Sequence, residues 1–478
     1  MKTLSLILFD EWRFWRRSKV AATVLVIGVL LTLASVVVNH VETQHADAER
    51  RQLQQHSESQ FMAQPDRHPH RMVHYGHYVF RNPTPLSALD PGVDAYTGHA
   101  IFLEGHRQNT AMFAEQNQSS GMTRFSSLSP AFLVQVLLPL LIVLVGYSCV
   151  TREKEAGTLT VLITQGVSAR QLLNGKFLAL VLAGVVMLLP LIVASLLAIG
   201  EGESVLTSSA FIAGYLGYIV IWSALVLWVS SMSQRSHASF AILISLWVVF
   251  AVLMPRIASS SAATLAPAMG KLETDFGVIE ELRQLGDGHN AADPAFEKLK
   301  RDLLEQYQVD DIAKLPVNFR GAVAAYSEEK LTKVLNRYAE DNMDKEQNQA
   351  NIARQFGWLS PTVSMANLSM MLAGTNLETH HRFLRQAEDL RFEFVQALNH
   401  VHLHDLDYQT DVNRYKDDAT AKAARVDAHH WQVLSSFTFT PQAPNARLAQ
   451  SLRYALQMGL WLLILVGLIR FATRRLMS

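Results

Sequence analysis

Cysteine is almost absent from this chain of 478 residues: Cys149 stands alone, so no disulfide can form within it. An oxidising compartment is neither required nor excluded. Charge is scarce as well. Asp, Glu, Lys and Arg make up 18%, against roughly 25% in ordinary soluble domains. The 42 basic residues balance the 42 acidic ones, so the chain has no electrostatic footprint for nucleic acid. No G-x-x-x-x-G-K-[ST] loop occurs, and without that phosphate cradle the chain does not hydrolyse ATP itself. No nucleophile elbow positions its serines and histidines. The chain reads as a non-enzyme.

What it has instead is apolar length. Hydrophobic residues make up 49%, and they gather in six runs: 20–38, 130–150, 177–200, 210–232, 238–255 and 448–470. Each is long enough to cross a hydrocarbon core of about 30 Å. Pro139 is expected to kink the second run, and Pro255 is expected to end the fifth. Ala213, Gly214 and Gly217 in the fourth permit close helix packing. Arg453, near the start of the sixth, must reach the interface. Residues 1–19 form an amphipathic elbow. Leu4, Ile7, Leu8, Trp12, Phe14 and Trp15 share one arc of a helical wheel, with Asp10, Arg13, Arg16 and Arg17 on the other. That suits a helix lying in the membrane surface.

Lys and Arg near the span ends set the expected orientation. The elbow carries Lys2, Arg13, Arg16, Arg17 and Lys19; the loop after the second span carries Arg152, Lys154, Arg170 and Lys176. Arg235 follows the fourth span, and Arg470, Arg474 and Arg475 close the chain, whereas the loop after the third offers only Glu201 and Glu203. The expectation is a multi-pass protein of the cytoplasmic (inner) membrane. Both termini and the tail 471–478 are cytoplasmic, and the polar inserts 39–129 and 256–447 are periplasmic.

Both inserts read as mostly helical. Glu42 to Ser59 forms a stem. In the second insert Phe383, Ala387, Leu390, Phe394, Leu398 and Val401 recur at helical spacing. Thr375 with Glu378 reads as a capping box. Ser360-Pro361 starts a further helix and Gly374 stops it; that helix is either core or a surface element on the membrane. Seventeen of eighteen histidines fall in the inserts. His68, His70, His74 and His77 form one group, and His400, His402 and His404 another. Neutral imidazoles so placed are candidate ligands for zinc or copper, and solvated or packing histidines are the plainer alternative.

The segment 151–176, pinned between the second and third spans, holds the most specific signal. Glu153, Glu155, Gly157, Thr158 and Leu159 form E-x-E-x-G-T-L, with Leu162 and Ile163 on the face of Leu159 and Gly175-Lys176 opening the next span. A short lever from Glu153 to Gln165 is expected there. This pattern, with six spans and an elbow, resembles the ABC-2 type transporter permeases. The resemblance implies an α-helical, type V exporter-like membrane subunit with six transmembrane helices. The second insert, with Leu359-Ser360-Pro361 and Leu372-Ala373-Gly374-Thr375, looks like an ABC-2 subfamily carrying a large outer domain, expected here to be mostly helical and built from the two inserts. The residues Glu153, Glu155, Gly157, Thr158, Leu159 and Leu162 would couple to a separate cytoplasmic ABC ATPase dimer. ATP and Mg would sit on that partner, with no cofactor in this chain. The other implied partners are a second permease, identical or a sister, membrane lipid, and an extracytoplasmic protein. The work done would be export, conformational work on an outer partner, or handling of copper or zinc. Two departures stand out: Gly166 occupies a position where the family often has proline, and the outer inserts are large.

Overall fold

The computed structural model describes residues 2–112, 128–267, 271–433 and 436–476. The stretch 113–127 of the first insert and the last two residues of the tail lie outside the described residues. Among those described, six helices are long and apolar enough to cross a membrane: Lys19–Met62, Pro130–Glu155, Ala169–Gly200, Val205–Met232, Ser236–Leu265 and Pro444–Arg475. Every expected run is present, and each sits inside a longer helix.

The elbow, Lys2–Arg17, stops at Ser18, whose extended backbone (φ −76°, ψ 106°) and hydroxyl cap the next helix. That helix then runs unbroken for 44 residues. At 1.5 Å per residue it is about 66 Å long, roughly twice the hydrocarbon core. Span and stem are therefore one rod, and its far end plants Phe61, fully buried, in a second apolar core.

Two spans contain π-helical turns. In the second, Leu133–Leu137 is π-helical directly before Pro139. In the fifth, Val248–Leu253 is π-helical directly before Met254–Leu265. A widened turn of this kind absorbs the missing proline N–H. The expected stop at Pro255 is therefore wrong. Pro255 falls in the first turn of a resumed helix, where no N–H is needed, and the helix continues to Leu265. The helix therefore runs about ten residues beyond Pro255.

The spans share one apolar cluster that includes Val134, Ile142, Leu180, Met187, Tyr218 and Trp222. Met365, Leu368, Met371 and Leu372 belong to the same cluster. The helix Pro361–Ala373 is thus core, nested among the spans. It starts where the Ser360 hydroxyl accepts from Val363 N at 3.3 Å and stops at Gly374 (φ 68°). A Cβ at Gly214 would fall 2.5 Å from Leu368 Cδ2, which is the close approach that small residues allow. The Thr375 and Glu378 capping box does not form. The next helix, Leu377–His404, has Asn376 as its N-cap, and the Glu378 carboxylate turns instead to Arg354 at 2.6 and 2.8 Å.

The two inserts build one domain. The hairpin β1 (His77–Phe80) and β2 (Ala100–Leu103) and the helix Pro69–Tyr75 come from the first. Their Met72, Val79 and Ile101 share a core with Phe383, Phe394, Leu398 and Trp431 of the second. Beside that core the helix Phe319–Gln355 packs along Leu377–His404. Arg391, 1% exposed, bridges them. It donates to Glu328 at 2.5 Å, Thr332 at 2.8 Å and Glu388 at 2.7 Å. At the membrane end, buried Arg447 donates to Glu203 at 2.5 Å and to the Leu372 carbonyl at 2.8 Å, tying the sixth span to the loop after the third.

Candidate functional site

The loop between the second and third spans is not a single lever. It contains two short helices, Thr151–Glu155 and Thr158–Thr164, with Gly157 between them in the left-handed region (φ 71°). Nothing lies within 4 Å of where a Cβ would stand at Gly157. Glycine is needed there for its backbone and not for space.

The charges of the loop turn inward. Lys176 Nζ donates to Glu11 Oε1 of the elbow at 2.6 Å and to Glu153 Oε1 at 2.9 Å. Arg152 pairs with Glu11 as well, lies 3.6 Å from Glu153, and holds its guanidinium 3.8 Å from the Phe14 ring centre. Side chains of Glu11 and Lys176 are 1% and 2% exposed. Two cations face two carboxylates, so the group is neutral where desolvation makes any excess charge costly. Gly175 belongs to the same seat, because a Cβ there would fall 2.6 Å from Ile7 Cγ2 of the elbow. Phe14 leaves the apolar arc expected for it and stacks under Arg152, while Trp15, like Glu11, is fully buried.

Glu155 also has an internal partner. Its carboxylate accepts from Ser236 N at 2.8 Å and from the Ser236 hydroxyl at 2.6 Å, capping the start of the fifth span. Lys154 donates to the Ser231 and Ser233 carbonyls at 2.6 and 2.9 Å, capping the end of the fourth. Thr158 donates to the Glu153 carboxylate. The loop is therefore clamped to the elbow and to three spans. Glu153, Glu155 and Thr158 do the clamping, with Glu155 and Thr158 still exposed at the surface.

The helix Thr158–Thr164 is what remains open. None of its residues is buried: Leu159 and Leu162 are half-buried, Val161 is 51% exposed and Ile163 36%. No charged residue occurs from 156 to 169. Beyond it a capping box starts the third span: Ser168 Oγ accepts from Gln171 N at 3.2 Å and Gln171 Oε1 accepts from Ser168 N at 3.0 Å. Sequence reading missed Glu11 and Ser236. A lone acidic residue among the aromatics of the elbow was the available signal for Glu11; a single serine in a turn carries none.

The histidines regroup. His68 and His402 bind the two oxygens of one buried carboxylate, Asp411, at 3.0 and 2.8 Å, and Arg414 and Asn318 bind it too. Burial alone would raise the Asp411 pKa, but the two histidines hold it well below the usual range. His77 lies buried in the core and its ring nitrogens have no partner. Burial pushes it down to about 4. His400 and His404 stack on each other at 4.2 Å on an exposed face. His70 and His74 instead join His106 and His289, whose ligand nitrogens all lie within 4.8 Å of one another. The two sequence groups are therefore not the two spatial groups.

Residues 103–269, covering the second to fifth spans and the clamped loop, match the ABC-2 family transporter proteins. The stretch 103–269 belongs to the ABC-2 transporter family. Residues 276–440, nearly all of the second insert, match a domain of unknown function (DUF3526). No curated protein matches the chain. The ABC-2 match makes this a multi-pass membrane component of an ABC transporter, a class whose members work with an ABC ATPase.

Proposed function

We propose that this ABC-2 permease receives force from a cytoplasmic ATPase at the helix Thr158–Thr164. One observation carries the reading: beyond Thr158, which bonds Glu153, the loop presents an uncharged helix that bares Val161 and Ile163. Its ends are fixed by Gly157 and by the Ser168 cap, so it would move as a rigid piece. Glu153, Glu155 and Lys154 would pass that motion to the third, fifth and fourth spans. The positive charges at the loop, elbow and tail support a cytoplasmic placement for both termini and a periplasmic one for the inserts. ATP and Mg would belong to the partner, and a second permease, identical or a sister, would complete the transporter.

What the motion achieves has two readings. One is export of a hydrophobic or amphiphilic molecule. The other, mechanical work on an extracytoplasmic protein, is favoured by the 44-residue rod that joins the first span to the outer core without a hinge. A photocrosslinking residue at position 161, activated in intact cells, tests the docking. The expected adduct is an ATP-binding subunit carrying a Walker motif. Adducts with lipid alone would overturn the proposal.

A further inference from the structure

From the geometry of the outer domain we infer a binding site for one divalent ion of the zinc and copper group, held by His70, His74, His106 and His289. The four come from three separate places. His70 and His74 share a face of the helix Pro69–Tyr75, one turn apart. His106 follows β2, and His289 lies in a loop of the second insert. Ring centres are 4.8–5.9 Å apart for all six pairs.

A tetrahedral ion with metal–nitrogen bonds near 2.05 Å sets its ligand nitrogens about 3.3 Å apart. Nε2 of His70 and Nε2 of His74 already lie 3.2 Å apart, and all four ligand atoms fall within 4.8 Å. Closing around an ion needs only side-chain rotation. Two of the rings are already oriented by carboxylates. His106 Nδ1 lies 2.9 Å from Glu328 Oε2, and His289 Nδ1 lies 3.2 Å from Asp287 Oδ1. A carboxylate on the outer nitrogen fixes the tautomer, leaves Nε2 free for a metal and raises its basicity. His106 Nε2 is buried and has no hydrogen-bond partner. Glu328 is itself anchored by Arg391, so the ring is held through two residues to the core. His106 also sits at φ 65°, a left-handed conformation uncommon outside glycine.

The donor set decides the class of ion. Four imidazoles, with no thiolate and no carboxylate ligand, suit zinc or copper and not the oxygen-seeking magnesium or calcium. His74 and His289 are exposed, so an ion has a path in. The second group, His68, His402 and Asp411, does not compete: both carboxylate oxygens already bind histidine and Asp411 also binds Arg414. Packing alone does not account for the first group, since one imidazole contact, His70 with His74, is the only hydrogen bond joining the four rings.

The test uses the full chain in detergent, stripped with chelator and titrated separately with Zn²⁺ and Cu²⁺ by calorimetry. The expected result is one ion per chain with Kd below about 1 μM. The double variant His74→Gln/His289→Gln changes only exposed residues and should weaken binding at least about 100-fold. Asp287→Asn should weaken it about 10- to 100-fold through the lost orientation of His289. His400→Gln/His404→Gln should bind as the parent does. Parent protein that binds neither ion more tightly than about 10 μM would overturn the site. So would undiminished binding in the His74/His289 variant, provided its thermal melt matches the parent's.

Discussion

Replacing Glu11 by Gln should open the elbow. The side chain is 1% exposed and its carboxylate balances Arg152 and Lys176 together with Glu153. Gln is the same size and can still hydrogen-bond, so packing is preserved and only the charge is lost. The buried Lys176 and the half-buried Arg152 are then left facing one carboxylate. Breaking a buried ion group in this way costs about 3–5 kcal/mol, and even 3 kcal/mol is about a 140-fold shift in an equilibrium. The chain supplies its own probe. Cys149 is its sole cysteine, 1% exposed, in the same apolar cluster as Trp15 of the elbow. Labelling of a buried thiol tracks the open population when closing is fast. A small maleimide should therefore label the Glu11→Gln protein on the order of 100-fold faster than the parent. Adding Lys176→Met leaves Arg152 and Glu153 as a one-to-one pair and should recover most of the protection. Equal labelling of parent and Glu11→Gln would refute the reasoning, and so would failure of the second change to restore it.

Two further outcomes follow from the same structure. Gly157→Ala meets no clash but forces a side chain into the left-handed region, at about 1 kcal/mol; thiol protection at Cys149 should hold while crosslinking from position 161 falls, and unchanged crosslinking would show that the break does not aim the helix. The second concerns acid. His77, His99 and His380 are buried, and burial, joined by Arg81 for the last two, pushes them down to about 4, 2 and 3. They stay neutral when folded and take up protons below about pH 6.5 once unfolded, so stability is complete above that pH and falls below it. At pH 5.5 the loss is about 1.4 kcal/mol each, or about 4 kcal/mol for three. Melts of the full chain in detergent at pH 7.5 and 5.5 should separate clearly, and a flat profile would contradict the burial of these rings.

The spans were legible because apolar length leaves little choice in a membrane. The E-x-E-x-G-T-L segment was legible as a place, but the internal bonds that its side chains make were not. Carboxylates usually point to water, so Glu153 and Glu155 read as partner-facing. Glu153 meets Lys176, 23 residues on, and Glu155 meets Ser236, 81 residues on, while Lys176 also reaches back 165 residues to Glu11, and spacing in sequence cannot reveal such meetings. Pro255 misled for a related reason: a π turn upstream is a feature of packing and leaves no residue signature. The histidines failed most plainly. Proximity in sequence grouped His400 with His404 and His68 with His70, whereas the fold drew His106 and His289 to His70 and His74.

The exposed helix at the loop could not exist unaided. Seven residues, TLTVLIT, make fewer than two full turns, far below the roughly 12–15 residues at which an isolated helix becomes even marginal. Three threonines, a valine and an isoleucine are also poor helix formers. Its order is imposed from both ends, by the clamp that Glu153 and Thr158 close on one side and by the Ser168 cap on the other. Normal surface logic is inverted here: charges are spent inward on holding the loop, and apolar side chains are left outside. An uncharged, externally braced helix is costly to keep in water and useful only if something covers it. Because its braces reach the elbow and three spans, whatever covers it also grips the membrane helices. That combination of a bare face and a stiff mounting is what a force-receiving surface requires.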